Sequence, residues 1–228
     1  VLGTSGTATE GTDYTDGSGN VDDITISAGS TTGTVSFTPT DDSVYEGNET
    51  ATIAISSVTG EASESGTQAV TITITENESA PTVTLYMKID SLGYEYASTW
   101  INESNSSKSL KLEAKLSGAT DEDVTVALST SGTATEGTDY TDGSGNLDDI
   151  TISAGSTTGS INFIRSDDSV YEGDETATIA ISSVSGGSAT ESGSQSVTIT
   201  IRDNESAGSV TLTVSATSIA ENAGTSLT

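Results

Sequence analysis

Asp167-Asp168-Ser169-Val170-Tyr171-Glu172-Gly173-Asp174-Glu175-Thr176 places five carboxylates in nine residues and runs straight into a strand-like segment. In that segment Ala177, Ile179 and Ile181 alternate with Thr176, Thr178, Ala180 and Ser182. A period of two sends alternate side chains to opposite faces of a strand, one towards a core and one towards water. The same acidic stretch occurs earlier as Asp41-Asp42-Ser43-Val44-Tyr45-Glu46-Gly47-Asn48-Glu49-Thr50.

The recurrence belongs to a long internal repeat. Gly6-Thr7-Ala8-Thr9-Glu10-Gly11-Thr12-Asp13-Tyr14 returns as Gly132-Thr133-Ala134-Thr135-Glu136-Gly137-Thr138-Asp139-Tyr140, an offset of 126 that becomes 127 after one residue is inserted near Gly186-Gly187. Val210-Thr211-Leu212 then matches Val83-Thr84-Leu85. The chain is therefore expected to hold the C-terminal part of one repeat (1–80), a complete repeat (81–206) and the N-terminal part of a further one (207–228).

Within the complete repeat, Leu110, Leu112, Ala114 and Leu116 alternate with polar residues, as do Val124, Val126 and Leu128. Ile150 with Ile152, Ile161 with Phe163, and Val197, Ile199 and Ile201 give further strands. With Val83–Leu85 these make about seven, separated by turns such as Asp142-Gly143-Ser144-Gly145-Asn146. The reading is all-β: tandem seven-stranded antiparallel sandwiches of immunoglobulin-like type, set end to end.

Composition agrees with thin cores. Only 32% of the 228 residues are hydrophobic and 4% aromatic, a supply suited to sheets with one buried face. The net charge is −28, from 34 acids and 6 bases. That excludes the basic surfaces that nucleic acids and anionic membranes require and favours cations as partners. There is no cysteine and no histidine, so disulfides and the usual zinc, copper and haem ligands are absent. Without His no nucleophilic triad assembles, and the acids cluster on turns rather than flanking a groove, so no enzyme is expected. No apolar run approaches the roughly 18 residues of a membrane span, so no direct membrane insertion is expected of these residues. The chain starts inside a repeat, and targeting segments are expected outside it.

Two features depart from simple repetition. Fifteen residues, Tyr86 to Trp100, stand where the third copy has six, and they carry the only Trp and three of the seven Tyr. Tyr94, Tyr96 and Trp100 are candidates for contact with a cell-surface glycan or protein. The alternative is a lengthened hairpin that covers the end of its own domain. The junctions Glu78-Ser79-Ala80-Pro81 and Glu205-Ser206-Ala207-Gly208 are too short for flexible linkers, so consecutive units must abut with acids near the seam.

Calcium takes six to eight oxygens from carboxylates and carbonyls. Asp168, Glu172, Glu175 and the Val170 carbonyl can converge from one irregular turn. Asp139, Asp203, Glu205 and Glu103 sit at the ends of predicted strands, and Glu221 corresponds to Glu103 in the third copy. Loops at one end of a sandwich converge, which brings these acids within reach of each other.

The repeat resembles a Calx-beta domain, the module of sodium–calcium exchangers and of bacterial surface proteins. The resemblance rests on Gly-Thr-Asp-Tyr (137–140), Ile-Thr-Ile-Ser-Ala-Gly (150–155), the acidic loop (167–176) and Ile-Arg-Asp-Asn-Glu (201–205). It implies calcium at one end of the sandwich. It places the ligands on Glu103, Asp139, Asp168, Val170, Glu172, Glu175 and the run Asp203–Glu205. In the first repeat it places them on Asp13, Asp42, Val44, Glu46, Glu49, Glu76 and Glu78. Asn204 and Asn77 are neutral positions in those terminal runs.

The expected function is a Ca2+-binding structural repeat of a large secreted or cell-surface protein. Its partners are neighbouring repeats of the same chain or filament, and calcium rigidifies the junctions into a rod for adhesion or assembly. The alternatives are a carbohydrate-binding module using the aromatic insertion and a calcium-sensing regulatory domain of a transporter.

Overall fold

Each alternating segment becomes a paired strand. The computed structural model describes residues 1–89, 94–96, 98–104, 110–214 and 221. Among these there is no helix. The first unit contributes β1 (Leu2–Gly6), β2 (Tyr14–Thr15), β3 (Thr38–Pro39), β4 (Val44–Tyr45), β5 (Glu49–Ile55) and β6 (Ala69–Ile74). The second begins with β7 (Thr82–Ile89), β8 (Tyr94–Tyr96), β9 (Ser98–Asn102), β10 (Leu110–Leu116), β11 (Ala119–Thr120) and β12 (Val124–Gly132). It continues with β13 (Tyr140–Thr141), β14 (Ile150–Ile152), β15 (Thr158–Arg165), β16 (Glu175–Ser185), β17 (Thr190–Glu191) and β18 (Ser196–Arg202).

In the second unit one sheet runs β13-β15-β10-β7-β17, with β8 added to β7, and the other runs β14-β12-β16-β18-β9. Their inner faces carry the alternating residues: Met87, Leu112, Val124, Ile150, Ile179 and Ile199 are all fully buried in one core. Tyr140 stacks on Phe163 at its edge, ring centroids 5.0 Å apart. The ladders are antiparallel except at two sheet edges, where β9 runs parallel to β18 and β17 parallel to β7.

The aromatic insertion explains the first of these. It turns back as the antiparallel pair β7–β8 (Met87 opposite Tyr96), then crosses to the other sheet and lies along β18 as β9.

The first unit keeps the sheet β1-β5-β6 and the pair β2–β3. Tyr14 stacks on Phe37 at 4.8 Å, as in the second unit. Ile24 and Ile26 are 38% and 57% exposed, whereas Ile150 and Ile152 are 0%.

The two units meet directly. β11 of the second unit pairs in parallel with β4 of the first, Ala119 opposite Val44 and Thr120 opposite Tyr45. The Asp121 N–H reaches the Tyr45 carbonyl at 3.4 Å. Pro81 is buried, and its carbonyl accepts the Thr190 N–H. Val210 and Leu212, expected to open a further strand, have no partner strand among the described residues and stand almost fully exposed. Most of residues 215–228 lies outside the described residues.

Candidate metal centre

The acidic loop between β15 and β16 is shaped by its own carboxylates. Asp168 Oδ1 accepts the Val170 N–H at 2.7 Å, a local turn that side-chain oxygens of Asp favour. Asp203, just past β18, accepts the N–H groups of Glu172 (2.6 Å) and Gly173 (2.5 Å) on one oxygen and that of Glu205 (2.7 Å) on the other. Gly173 sits at φ +83°, a left-handed conformation that glycine adopts without steric cost. Asp139 is fixed by the Thr135 N–H on its carboxylate, while its carbonyl accepts the Ser166 N–H.

Held this way, the side chains converge. Ligand oxygens of Glu103, Asp168 and Glu172 lie within 4.8 Å of one another, as do those of Asp139, Glu172 and Glu175, and those of Glu103, Asp203 and Glu205. Glu172 and Glu103 each belong to two triads, so the three join into one continuous acidic surface. Val170 lies in the same loop with its side chain turned to solvent.

In the first unit Asp13, Glu46 and Glu49 form the corresponding triad. Glu76 takes the place of Asp203, accepting the N–H groups of Glu46 (2.6 Å) and Gly47 (2.8 Å). Asp42 accepts the Val44 N–H at 2.7 Å. A cavity of about 200 Å³ is lined by all seven expected positions, Asp13, Asp42, Val44, Glu46, Glu49, Glu76 and Glu78.

The electrostatics divide these acids into two kinds. Asp203 is held below the usual carboxylate range, chiefly by the Gly173 N–H. For Glu76 burial pulls upward, but the N–H groups of Glu78, Glu46 and Gly47 outweigh it and bring the carboxyl to about 2. Other acids lack such donors and face like charges. Burial, then the charges of Asp13, Asp42, Glu49 and Asp121, push Glu46 up to about 7. Burial and Asp139 raise Glu175 to about 7, and burial and Asp168 raise Glu103 to about 6. Glu49, Glu172 and Glu205 are raised by burial and neighbouring carboxylates, and Glu78 by its hydrogen bond with Glu76. One Glu205 oxygen is buried without a hydrogen-bond partner. The anchored acids shape the loop and stay charged; the others store repulsion that a cation relieves.

The donor set is oxygen alone, which suits a hard cation, and its irregular, multi-carboxylate form suits calcium better than the octahedral shell of magnesium.

A family model described as the Calx-beta domain matches residues 2–78 and 88–205. The chain belongs to the Calx-beta family. Among solved structures, the apo-form Calx CBD1 domain is 20% identical, covering 53% of this chain and 98% of its own, with a TM-score of 0.39. The calcium binding domain CBD12 of CALX1.1 is 20% identical over 51% of this chain and 44% of its own (TM-score 0.39). The Calx CBD2 domain is 14% identical over 54% and 86% (TM-score 0.41). No curated protein sequence matches the chain.

The remaining expected positions of the Calx-beta chain fall elsewhere. Glu221 lies in an exposed turn and joins no acidic group among the described residues. Tyr94 and Tyr96 lie on β8, but their side chains lie outside the described residues. Trp100 is half-exposed, with the Arg202 guanidinium 4.0 Å from its ring centroid, a cation–π contact.

One residue that acts on the first site was not anticipated. Asp121 comes from the second unit, and its charge raises Glu46 and Glu49 of the first. The only sequence signal was its place in the acidic run Asp121-Glu122-Asp123, which is shared by acids that do structural work. Glu122 accepts the Gly187 N–H and Asp123 the Ala154 N–H.

Proposed function

We propose that each acidic end binds Ca2+, and that in the first unit the ion fixes the seam to the next. The observation that carries this reading is the seam itself. β4 lines the acidic cavity and is also the strand on which β11 of the second unit lies. Glu46 and Glu49 therefore feel the charge of Asp121 across the junction. Two carboxylates 4 Å apart repel by roughly 4 kcal/mol at an effective dielectric of 20. Without a cation that repulsion acts to open the two-residue pairing; with one it is replaced by shared attraction. Binding to the folded arrangement alone stabilises it by linkage.

The function is then mechanical: calcium turns a hinged string of sandwiches into a stiff rod. With the strongly acidic, cysteine-free composition, we place such a rod on a secreted or cell-surface protein, in adhesion or assembly. Membership of the Calx-beta family supports the choice of ion. The same seam coupling also serves the second reading, a regulatory domain of a transporter, in which the bend between units reports calcium. The glycan reading has to share Trp100 with Arg202, whose guanidinium lies over its ring.

Calorimetric titration of the chain with calcium, paired with small-angle scattering with and without chelator, tests the proposal. The expected result is saturable binding and a longer, narrower distance distribution with calcium. Identical scattering profiles in the two conditions refute the stiffening, and no heat of binding refutes the ion.

A further inference from the structure

Asp-Asp-Ser-Val-Tyr-Glu-Gly is identical at 41–47 and 167–173, yet the two copies have different surroundings. In the first, Val44 and Tyr45 are half-buried and form strand β4 beneath β11 of the next unit. In the second, Val170 and Tyr171 form no strand and are 57% and 52% exposed. The seven residues are the same, and the first copy carries β11 where the second has no strand on it among the described residues.

The occupant is rigidly presented. Thr120 is buried, and its carbonyl accepts the Gly155 N–H at 2.8 Å. Glu122 and Asp123 tie the following turn to Gly187 and Ala154. β11 is thus held by its own unit before it meets β4, so little ordering is lost on docking.

We infer that the exposed Val170–Tyr171 edge is a docking strand for the following Calx-beta repeat, which adds its counterpart of Ala119–Thr120 in parallel. The seam seen once in this chain is then a general joint, used at every junction in one register. It is a main-chain contact, in the manner of β-augmentation. Asn48 in the first copy is Asp174 in the second, and the contact is indifferent to this because it uses neither side chain. The third unit that the sequence begins near Val210 is the natural donor. The contact itself is backbone to backbone, and on the calcium reading above the ion adds to its strength.

The test extends the chain by following residue 207 with a further copy of residues 81–206, in calcium. The added copy carries Tyr171→Phe, so that only the internal Tyr171 is read. Acetylation of tyrosines is followed by peptide mass spectrometry, with Tyr45 of the same molecule as the docked reference. In the 228-residue chain Tyr171 is modified faster than Tyr45; in the extended chain that difference disappears. Doubled tryptophan emission with the spectrum of the parent chain verifies that the added copy is folded. Persisting fast modification of Tyr171 in a folded extended chain overturns the inference. So does concentration-dependent protection of Tyr171 in the 228-residue chain, which assigns the edge to a second copy. Protection of Tyr171 without any calcium binding supports the joint while refuting the calcium reading, so the two failures are distinguishable.

Discussion

Calcium binding to this chain releases protons, and the number depends on pH in a way the site geometry fixes. Glu46 and Glu175 titrate at about 7 and Glu103 at about 6, each raised by burial first and neighbouring carboxylates second. All three face the acidic triads, and a protonated carboxyl cannot serve as an anionic ligand. At pH 6.5 a group at 7 is about three-quarters protonated and one at 6 about one-quarter, so filling both sites displaces about two protons per chain. At pH 8 the same groups are almost fully ionised and the release falls to ~0.2. The apparent affinity of each site should therefore rise by about one log unit per pH unit near pH 6.5 and level off above 8. Calorimetry in buffers of different ionisation enthalpy at the two pH values counts the protons directly. Glu46→Gln should remove the first site's share, about 0.8 proton at pH 6.5. Equal release at pH 6.5 and 8, or none at either, would refute the assignment of raised acids to the sites. The same shifts set a sign for stability. The folded pKa values lie above the unfolded 4.5, so this contribution is fully present below about pH 4.5 and is lost as pH rises through 6 to 7. Calcium-free protein should melt higher at pH 5 than at pH 7.5, and saturating calcium should remove that difference.

Other perturbations test the scaffold. Gly132→Ala sets a methyl 2.0 Å from the Thr176 carbonyl oxygen at φ +124°, and should cost roughly 3 kcal/mol in urea unfolding. Phe163→Ala empties a fully buried position against Tyr140 and should lose about 3–5 kcal/mol. Lys88 donates to the buried Glu113 at 2.9 Å. Lys88→Ala should cost about 2–3 kcal/mol in urea unfolding, because Glu113 is left buried without this partner. Trp100 is the only tryptophan and contacts Arg202, next to Asp203. Its fluorescence should shift as calcium fills the second site, and Arg202→Ala should shift the calcium-free spectrum while leaving stability within about 1 kcal/mol.

Strand after strand was legible because apolar residues alternate cleanly, as in Leu110–Leu116 and Ala177–Ile181, and because two copies of one pattern reinforce each other. The convergence of acids from the 139, 168–175 and 203–205 segments followed from the sandwich alone. The parallel edges were not legible, since β9 carries no alternation that names its partner; the insertion read as a contact surface or a lengthened hairpin. Nor did residue type separate anchors from free acids. Asp203 and Glu76 read as ligands like any other carboxylate, and their hold on the loop N–H groups depends on the placement of backbone far away in sequence. Asp121 was invisible for the same reason: it acts on a unit other than its own. Identical letters at Val44-Tyr45 and Val170-Tyr171 could not reveal that one pair is covered and the other bare.

The single residue that breaks the 126-residue spacing lies behind the joint. Gly186 and Gly187, both at positive φ, wrap the turn after β16 around the β11 loop, and a methyl on Gly187 would meet the Thr120 side chain at 2.5 Å. The first unit has one glycine, Gly60, at the corresponding turn. The Gly186-Gly187 turn packs directly on Thr120 of β11, the strand that pairs with β4 of the preceding unit. In stacked repeats a small rotation at each step accumulates into curvature. Deleting Gly187 should therefore re-aim β11 against the preceding unit and change the scattering profile of the chain, without any change in the residues that join the two units.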